Sequence, residues 1–327
     1  MTDARDEAPL WIGARRDAEI DVIGVGQSSL DHVCLVDGLP EFAGKARIAQ
    51  YLRMPGGQVA TALLGCARLG LRCAFVGAVG DDEAGRAALA PLERAGIDLA
   101  DVRTVPGIPT QLAVILVDRE SGERTVLWHR HPALAIEPAH LSRASIARAR
   151  LLHLDAGDPE AGAWAAKVAR EAGIPVLLDA DTAVPGMSEL LAHVDFPVVS
   201  RGFAESFAGS RDPADALRGL VAGGARLAVV TLGEQGALGL LGERWLPSPA
   251  FQIVARDTTG AGDAFHAAFA WAVLAGFGPA RTLRYANAFA ARNCLALGAQ
   301  GGLATQAELE AFLAENRPAP WKGPALP

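Results

Sequence analysis

Lysine is nearly absent from this chain. Of its 30 basic residues only Lys45, Lys167 and Lys322 are lysines, so a phosphate clamp has to be built from arginine or from backbone N–H groups. An excess of positive charge is missing too. The formal net charge is −7, and nucleic acids and anionic membranes both reward clustered Lys and Arg, so neither is an expected partner. Cysteine is scarce. Cys34, Cys66, Cys73 and Cys294 show no CxxC spacing, which reads as reduced core thiols in a cytoplasmic protein. No run of about 18 uncharged apolar residues offers a membrane span. The N-terminus is acidic and has no long apolar segment of the kind a signal peptide needs.

What is present is apolar and rhythmic. Half of the 327 residues are hydrophobic, enough for one large domain or two modest ones. Short apolar runs predict strands at Ile20–Gly26, Cys73–Gly80, Leu151–Asp155, Pro175–Ala180, Phe196–Ser200 and Arg226–Gly233. Their continuous apolar character is that of strands covered on both faces. Helical patterns fall between them, over Gly57–Gly70, Asp82–Ala95, Pro159–Ala172 and Pro213–Ala222. The alternation predicts an α/β fold with a doubly wound, mostly parallel sheet flanked by helices.

Two stretches break the rhythm. Residues 32–53 and 109–130 read as strands with polar alternation, the second folding back at Gly122. We expect them to form a small β lid inserted in one domain spanning 19–315, with flexible tails at 1–18 and 316–327. Two long helices, nearly apolar all round, follow at Gly260–Ala275 and Pro279–Gly298; such helices are buried.

The first of these opens with "DTTGAGDAF". Gly260, Ala261 and Gly262 precede Asp263, and the helix begins there. N–H groups at a helix start lack intrahelical partners, and the helix dipole adds positive potential. Read locally, the stretch is equally a plain cap and an anion hole with a carboxylate beside it. The second reading suits phosphoryl transfer: Asp263 takes a proton from an alcohol while the hole holds the transferring charge. "VIGVGQSS" lacks the third glycine of a dinucleotide fingerprint, and "AGKAR" is too short for a Walker A loop.

The stretch "DTTGAGDAFHAAF" resembles the C-terminal signature of the PfkB carbohydrate-kinase family, the ribokinase-like kinases. "MPGGQVATALLGCARLG", Met54–Gly70, resembles the same family's first signature. The resemblance extends over about Ile20–Leu313, and the middle of the chain looks nearest to bacterial ketose and sulfofructose-type kinases. It implies a ribokinase-like fold and an ATP-dependent kinase acting on a primary hydroxyl of a small sugar, a ketohexose or pentose. Asp263 stands at the family's catalytic base and Gly260, Ala261 and Gly262 at its anion hole. Asp31, Gly56, Gly57 and Gln58 match the sugar-binding positions, with Gln58 replacing the usual Asn; Arg130, at the end of the lid, joins them. Thr231, Gly233 and Gly236 match the nucleotide-side turn, and Asn287 is placed near the adenine. The implied cofactors are ATP and Mg2+, with room for a monovalent cation, K+. A homodimer through the β lid is expected.

One departure concerns Mg2+. Ser200 stands where the family carries Asn, and Glu205 is two positions late for its acid. Asp179 and Asp181 are the other carboxylates at a strand end. A sulfonated sugar would need Arg130 or Arg201 to reach in. Two other functions share these residues: a nucleoside kinase, for which the lid is poor in stacking aromatics, and a sugar- or nucleotide-binding regulator without catalysis.

Overall fold

The computed structural model describes residues 8–12 and 18–326. In chain order the strands are β1 Ile20–Val25, β2 Ser29–Val36, β3 Ile48–Gly56, β4 Cys73–Gly80, β5 Val102–Val105, β6 Leu112–Asp118 and β7 Arg124–His129. They continue with β8 Ala149–Asp155, β9 Val176–Ala180, β10 Phe196–Ser200, β11 Ala228–Thr231, β12 Ala237–Leu241 and β13 Arg244–Ser248. The helices are α1 Gln58–Arg68, α2 Glu83–Arg94, α3 Arg143–Ala147, α4 Pro159–Glu171 and α5 Met187–Leu191. After them come α6 Arg201–Ala208, α7 Pro213–Ala222, α8 Ala261–Leu274, α9 Pro279–Asn293 and α10 Gln306–Glu315.

These described residues build a nine-stranded sheet in the order β13-β12-β11-β10-β9-β8-β1-β4-β5 and a four-stranded sheet β3-β2-β6-β7. In the large sheet β1, β4, β5 and β8–β11 run parallel; β12 and β13 close one edge antiparallel. The expected α/β architecture is thus observed. The edge pair and β5 were not anticipated, because β12 and β13 are five residues each and β13 mixes Arg244 and Pro247 into its run.

Period-two alternation divides the large sheet between two cores. Val22 and Leu177 face the core shared with α1, α8 and α9, while Ile23 and Leu178 face the one shared with α4 and α7. Gly65 lets α1 sit against α8, since a Cβ there would meet Ala267. The four cysteines are free and buried. No helix among the described residues is long and apolar enough to cross a membrane.

The lid strands β2, β3, β6 and β7 match the two regions that broke the βα rhythm. Gly122 turns β6 into β7 with φ +72°, a left-handed conformation that glycine adopts without steric cost. In the parallel sheet β1 lies between β8 and β4. The chain therefore leaves it first to one side and later to the other, and a crevice opens at the carboxyl ends of such strands.

Parts of the stretches expected to be tails lie against the domain. Leu10 is buried and its N–H donates to Phe277 O at 3.1 Å. Trp11 meets Phe196 edge-on at 6.2 Å and lies under the Arg226 guanidinium. At the other end Pro318 bridges Phe251, and the Ala319 N–H donates to Ala250 O at 2.8 Å.

Candidate active site

The strand ends and the lid enclose one large cleft of about 1220 Å3. The parallel strands deliver Asp179 and Asp181 from the end of β9, Ser200 from β10 and Thr231 from β11. The lid contributes Asp31, Arg124 and Trp128, and α8 contributes its N-terminus.

The turn into α8 is held from behind. Asp257 is fully buried; its carboxylate accepts the Thr259 N–H at 2.8 Å and the Gly298 N–H at 2.7 Å. Asn293 donates to Ala299 O at 2.9 Å and accepts from Gly302 N at 3.1 Å, tying the same loop to α9. Gly260 caps the helix at φ +74°, and a Cβ on it would collide with the backbone of Ala299. The Ala261 N–H donates to Thr258 O at 3.2 Å. With Ala261 engaged, the remaining N–H groups of the turn are those of Gly260, Gly262 and Asp263, so Asp263 takes the place of Ala261 in the expected 260–262 set. Gly262 faces open space, as close approach of a ligand requires.

Asp263 stands at the cleft beside these donors. Burial pushes its carboxyl well above the usual carboxylate range; Asp179, Asp31 and Asp181 push it further, and Arg124 opposes them. Asp179 is raised as well, first by burial and then by Asp181 and Asp155, with a hydrogen bond from Gln58 pulling it back. Gln58 lines the same cleft. His266, one turn after Asp263, places Nδ1 2.7 Å from Gly262 O and 3.4 Å from Asp179 Oδ2, and Nε2 3.0 Å from Val198 O. Its ring braces the first turn of α8 against β9 and β10.

At the lid end, Asp31 is buried and accepts from the Ser29 hydroxyl at 2.7 Å. Burial raises its carboxyl to about 6. A Cβ on Gly56 would run into this carboxylate, and one on Gly57, at φ +94°, into the backbone of Gln27 and Ser28. The glycine pair therefore makes room for the protein's own acid and backbone as well as for a ligand.

Several polar residues of this end were not anticipated. Gln27 accepts from the Gln111 amide at 2.6 Å, and its N–H donates to Asp155 at 2.6 Å. Asp155 also takes the Gly157 N–H at 2.9 Å, and burial raises it to about 6. Arg124, which lines the cleft and donates to the Thr258 hydroxyl at 3.1 Å, was missed too; only the alternation along "ERTVLW" hinted that it shares a face with Val126 and Trp128.

Arg130 lines the cleft with its charge already engaged. Its guanidinium meets both oxygens of Asp158, at 3.0 and 2.6 Å, and donates to Leu134 O at 2.8 Å. Arg201 donates to Gln235 at 2.6 Å instead of entering the cleft. On the opposite side Thr231, Gly233 and Gly236 line the wall; Gly236, at φ +99°, has no space for a Cβ against Ser248 O. Asn287 also lines it, with its amide spent on Ser248 O and Oγ, both at 2.9 Å. Of the acids considered for a metal, Asp179 and Asp181 stand in the cleft, whereas Glu205 lies mid-way along α6 and is not part of the lining. Ser200, in the place of the expected Asn, caps α6 through the Phe203 N–H at 3.1 Å. Among the described residues no group of three or more His, Cys, Asp or Glu side chains converges on a metal position.

A helix N-terminus, the half-buried Asp263 and the buried Asp31 thus share one cleft. The model of the pfkB family carbohydrate kinases matches residues 19–306. The chain belongs to this family. It is 33% identical to an ATP-dependent ribose-1-phosphate kinase of Halopiger xanaduensis, over 91% of this chain and 99% of that one. Among solved structures it is similar to a putative ribokinase from Agrobacterium tumefaciens, with TM-score 0.84 and 29% identity over 90% of this chain and 98% of that one. A ribokinase of Arabidopsis thaliana complexed with ribose and ATP superposes with TM-score 0.75 and 26% identity over 90% and 98% of the two chains. The chain is accordingly a sugar kinase of the ribokinase type, a phosphotransferase with an alcohol as acceptor.

Proposed function

We propose that Asp263 is the base of an ATP-dependent kinase that phosphorylates the primary hydroxyl of a small sugar, a pentose or ketohexose. The observation that carries this is the juxtaposition, in one cleft, of Asp263 and the open N–H groups of Gly260, Gly262 and Asp263. Burial and three neighbouring acids raise the affinity of Asp263 for a proton, which suits a group that must accept one from an alcohol. The sugar oxygen attacks the γ-phosphorus as its proton passes to Asp263, the bond to the β-phosphate oxygen breaks, and ADP leaves. The donors at the α8 N-terminus hold the charge carried by the transferring group. Arg124 adds a cation from the lid.

Asp31 is placed to orient the sugar hydroxyls, and Gln27 and Gln111 form the adjoining polar wall. Thr231 and the Gly233–Gly236 turn, which line the same cleft, take the nucleotide in this reading. Asp179 and Asp181 fit Mg2+, since hard carboxylate oxygens suit it and it keeps several waters; the metal would neutralise phosphate charge. Replacing K+ by tetramethylammonium in the assay decides whether a monovalent cation takes part.

A sugar phosphate acceptor is the second reading. Arg124, whose hydrogen-bond partner is the neutral Thr258 hydroxyl, favours it, as does the similarity to a ribose-1-phosphate kinase. We also infer a homodimer through the lid: Tyr51 and Leu127, 51% and 61% exposed, put apolar surface in water there. ADP formation against ribose, fructose, ribose 1-phosphate and adenosine tests the assignment. A neutral pentose or ketohexose should turn over fastest; binding without turnover of any of the four would overturn it in favour of a silent regulator.

A further inference from the structure

The family model ends its match at residue 306, and the chain runs on past α10. This extension returns to the cleft. Pro318 forms an antiparallel bridge with Phe251, and the Ala319 N–H donates to Ala250 O at 2.8 Å. Half-buried Trp321 packs on the core that contains Leu238 and Leu240, and its Nε1–H donates to Pro324 O at 3.1 Å. The segment is thus fastened on both sides of residue 320, and between the fastenings Ala319, Pro320 and Lys322 line the cleft.

They do so at a particular end. Ala250 and Phe251 adjoin the Gly233–Gly236 turn, because a Cβ on Gly236 would strike Ser248 O and the Pro249–Ala250 backbone. Phe251 and Ile253 line the same cleft, as do Ala290 and Ala291 of α9. These surfaces, with Ala319 and Pro320, are apolar and carry little side-chain freedom, the character of a wall that receives a flat aromatic base. Lys322, one of three lysines in the chain, is exposed beside them. An ammonium there attracts an anionic nucleotide with a strength that salt reduces.

We propose that residues 318–322 form a strap that completes the nucleotide site, with Ala319 and Pro320 against the base and Lys322 supplying a cation to the phosphates. This rests on reading the cleft as a kinase site. Titration calorimetry with ATP, ADP and adenosine on the full chain, on a chain ending at Asn316 and on Lys322→Glu tests it. Loss of the strap should weaken all three ligands about tenfold, equivalent to about 1.4 kcal/mol. The sugar KM and the kcat at saturating ATP should stay within about twofold. Lys322→Glu should weaken ATP about fivefold at low salt and less at high salt, leaving adenosine unchanged. If the shortened chain does not fold, Lys322→Glu and Pro320→Asp in the full chain carry the same test. Unaltered ATP binding in all folded variants overturns the strap and leaves the kinase assignment standing. A full chain that binds neither ATP nor adenosine overturns the kinase reading, and the strap with it.

Discussion

The two sides of the cleft are built differently. The α8 turn is fixed from behind: Asp257 takes two backbone N–H groups, Asn293 ties the neighbouring loop, and Gly260 abuts Ala299. The lid is tied down at its base, where Gln111 meets Gln27, Arg53 meets Glu83 and Leu297 packs among Val33, Ile115 and Val117, and its last strand, β7, is held at fewer points. Thr258 donates to Gly122 O at 3.1 Å, Arg124 meets Thr258, and Arg130 meets Asp158. Its cleft-facing Val126 and Trp128 remain 42% and 68% exposed. The difference separates two tasks. Donors that stabilise developing charge act best when their orientation is set before the reaction, whereas the surface that admits a sugar has to open and then exclude water.

If that division is right, substitutions on the fixed side should change the rate and those on the lid side should change acceptor binding. Asp263→Asn should lower kcat by about 10³-fold, the middle of the usual range for a lost general base, with ATP affinity within twofold by calorimetry. Asp31→Ala should raise the sugar KM about 100-fold, as expected when a site loses a group that hydrogen-bonds the acceptor, with the ATP KM unchanged. A large kcat loss with constant sugar KM would break the comparison there. Asp257→Ala strands two backbone donors and should cost about 2–4 kcal/mol of unfolding free energy by denaturant titration.

Asp31 offers a subtler test through pH. Burial lifts its carboxyl to about 6, above the ordinary value of about 4. The stability owed to the neutral group is complete below about pH 4 and is lost as pH rises through about 6. Asp31→Asn keeps an acceptor for Ser29 and cannot ionise, so it should be more stable than the parent by roughly 1–3 kcal/mol at pH 7 and equal to it at pH 4. The smallest effect on catalysis is expected from Leu127→Glu on the outer lid. It should convert a dimer to a monomer in light scattering and move kcat less than about threefold, because only rim charge and surface change.

Sequence reasoning reached the fixed side more completely than the lid. Gly260–Asp263 are contiguous, so helix-end physics acts within one turn and shows in the residue order. The buried strands were legible for a similar reason, since burial on both faces leaves an unbroken apolar run. Gln27, Gln111 and Asp155 meet across 84 and 128 residues, and only the pairing of β1 with β8 and of β2 with β6 brings them together. Arg130 looked free because its partner, Asp158, lies beyond a further strand. Glu205 seemed a metal ligand by proximity in sequence, yet the helix it lies on carries it away from the cleft. Nothing in the composition of "RPAPWKG" signals a return to the cleft; that depends on the Ala250–Phe251 backbone, with which Pro318 and Ala319 pair.

The central claim is that a phosphoryl group passes from ATP to a sugar hydroxyl with Asp263 as base. Phosphorus NMR of the protein with ATP, Mg2+ and the preferred sugar, run alongside Asp263→Asn, tests it most directly. ADP and a phosphomonoester on the sugar's primary carbon should grow together in equal amounts with the parent chain and hardly at all with the variant. Inorganic phosphate in place of the sugar ester, or undiminished ester formation by Asp263→Asn, would contradict it.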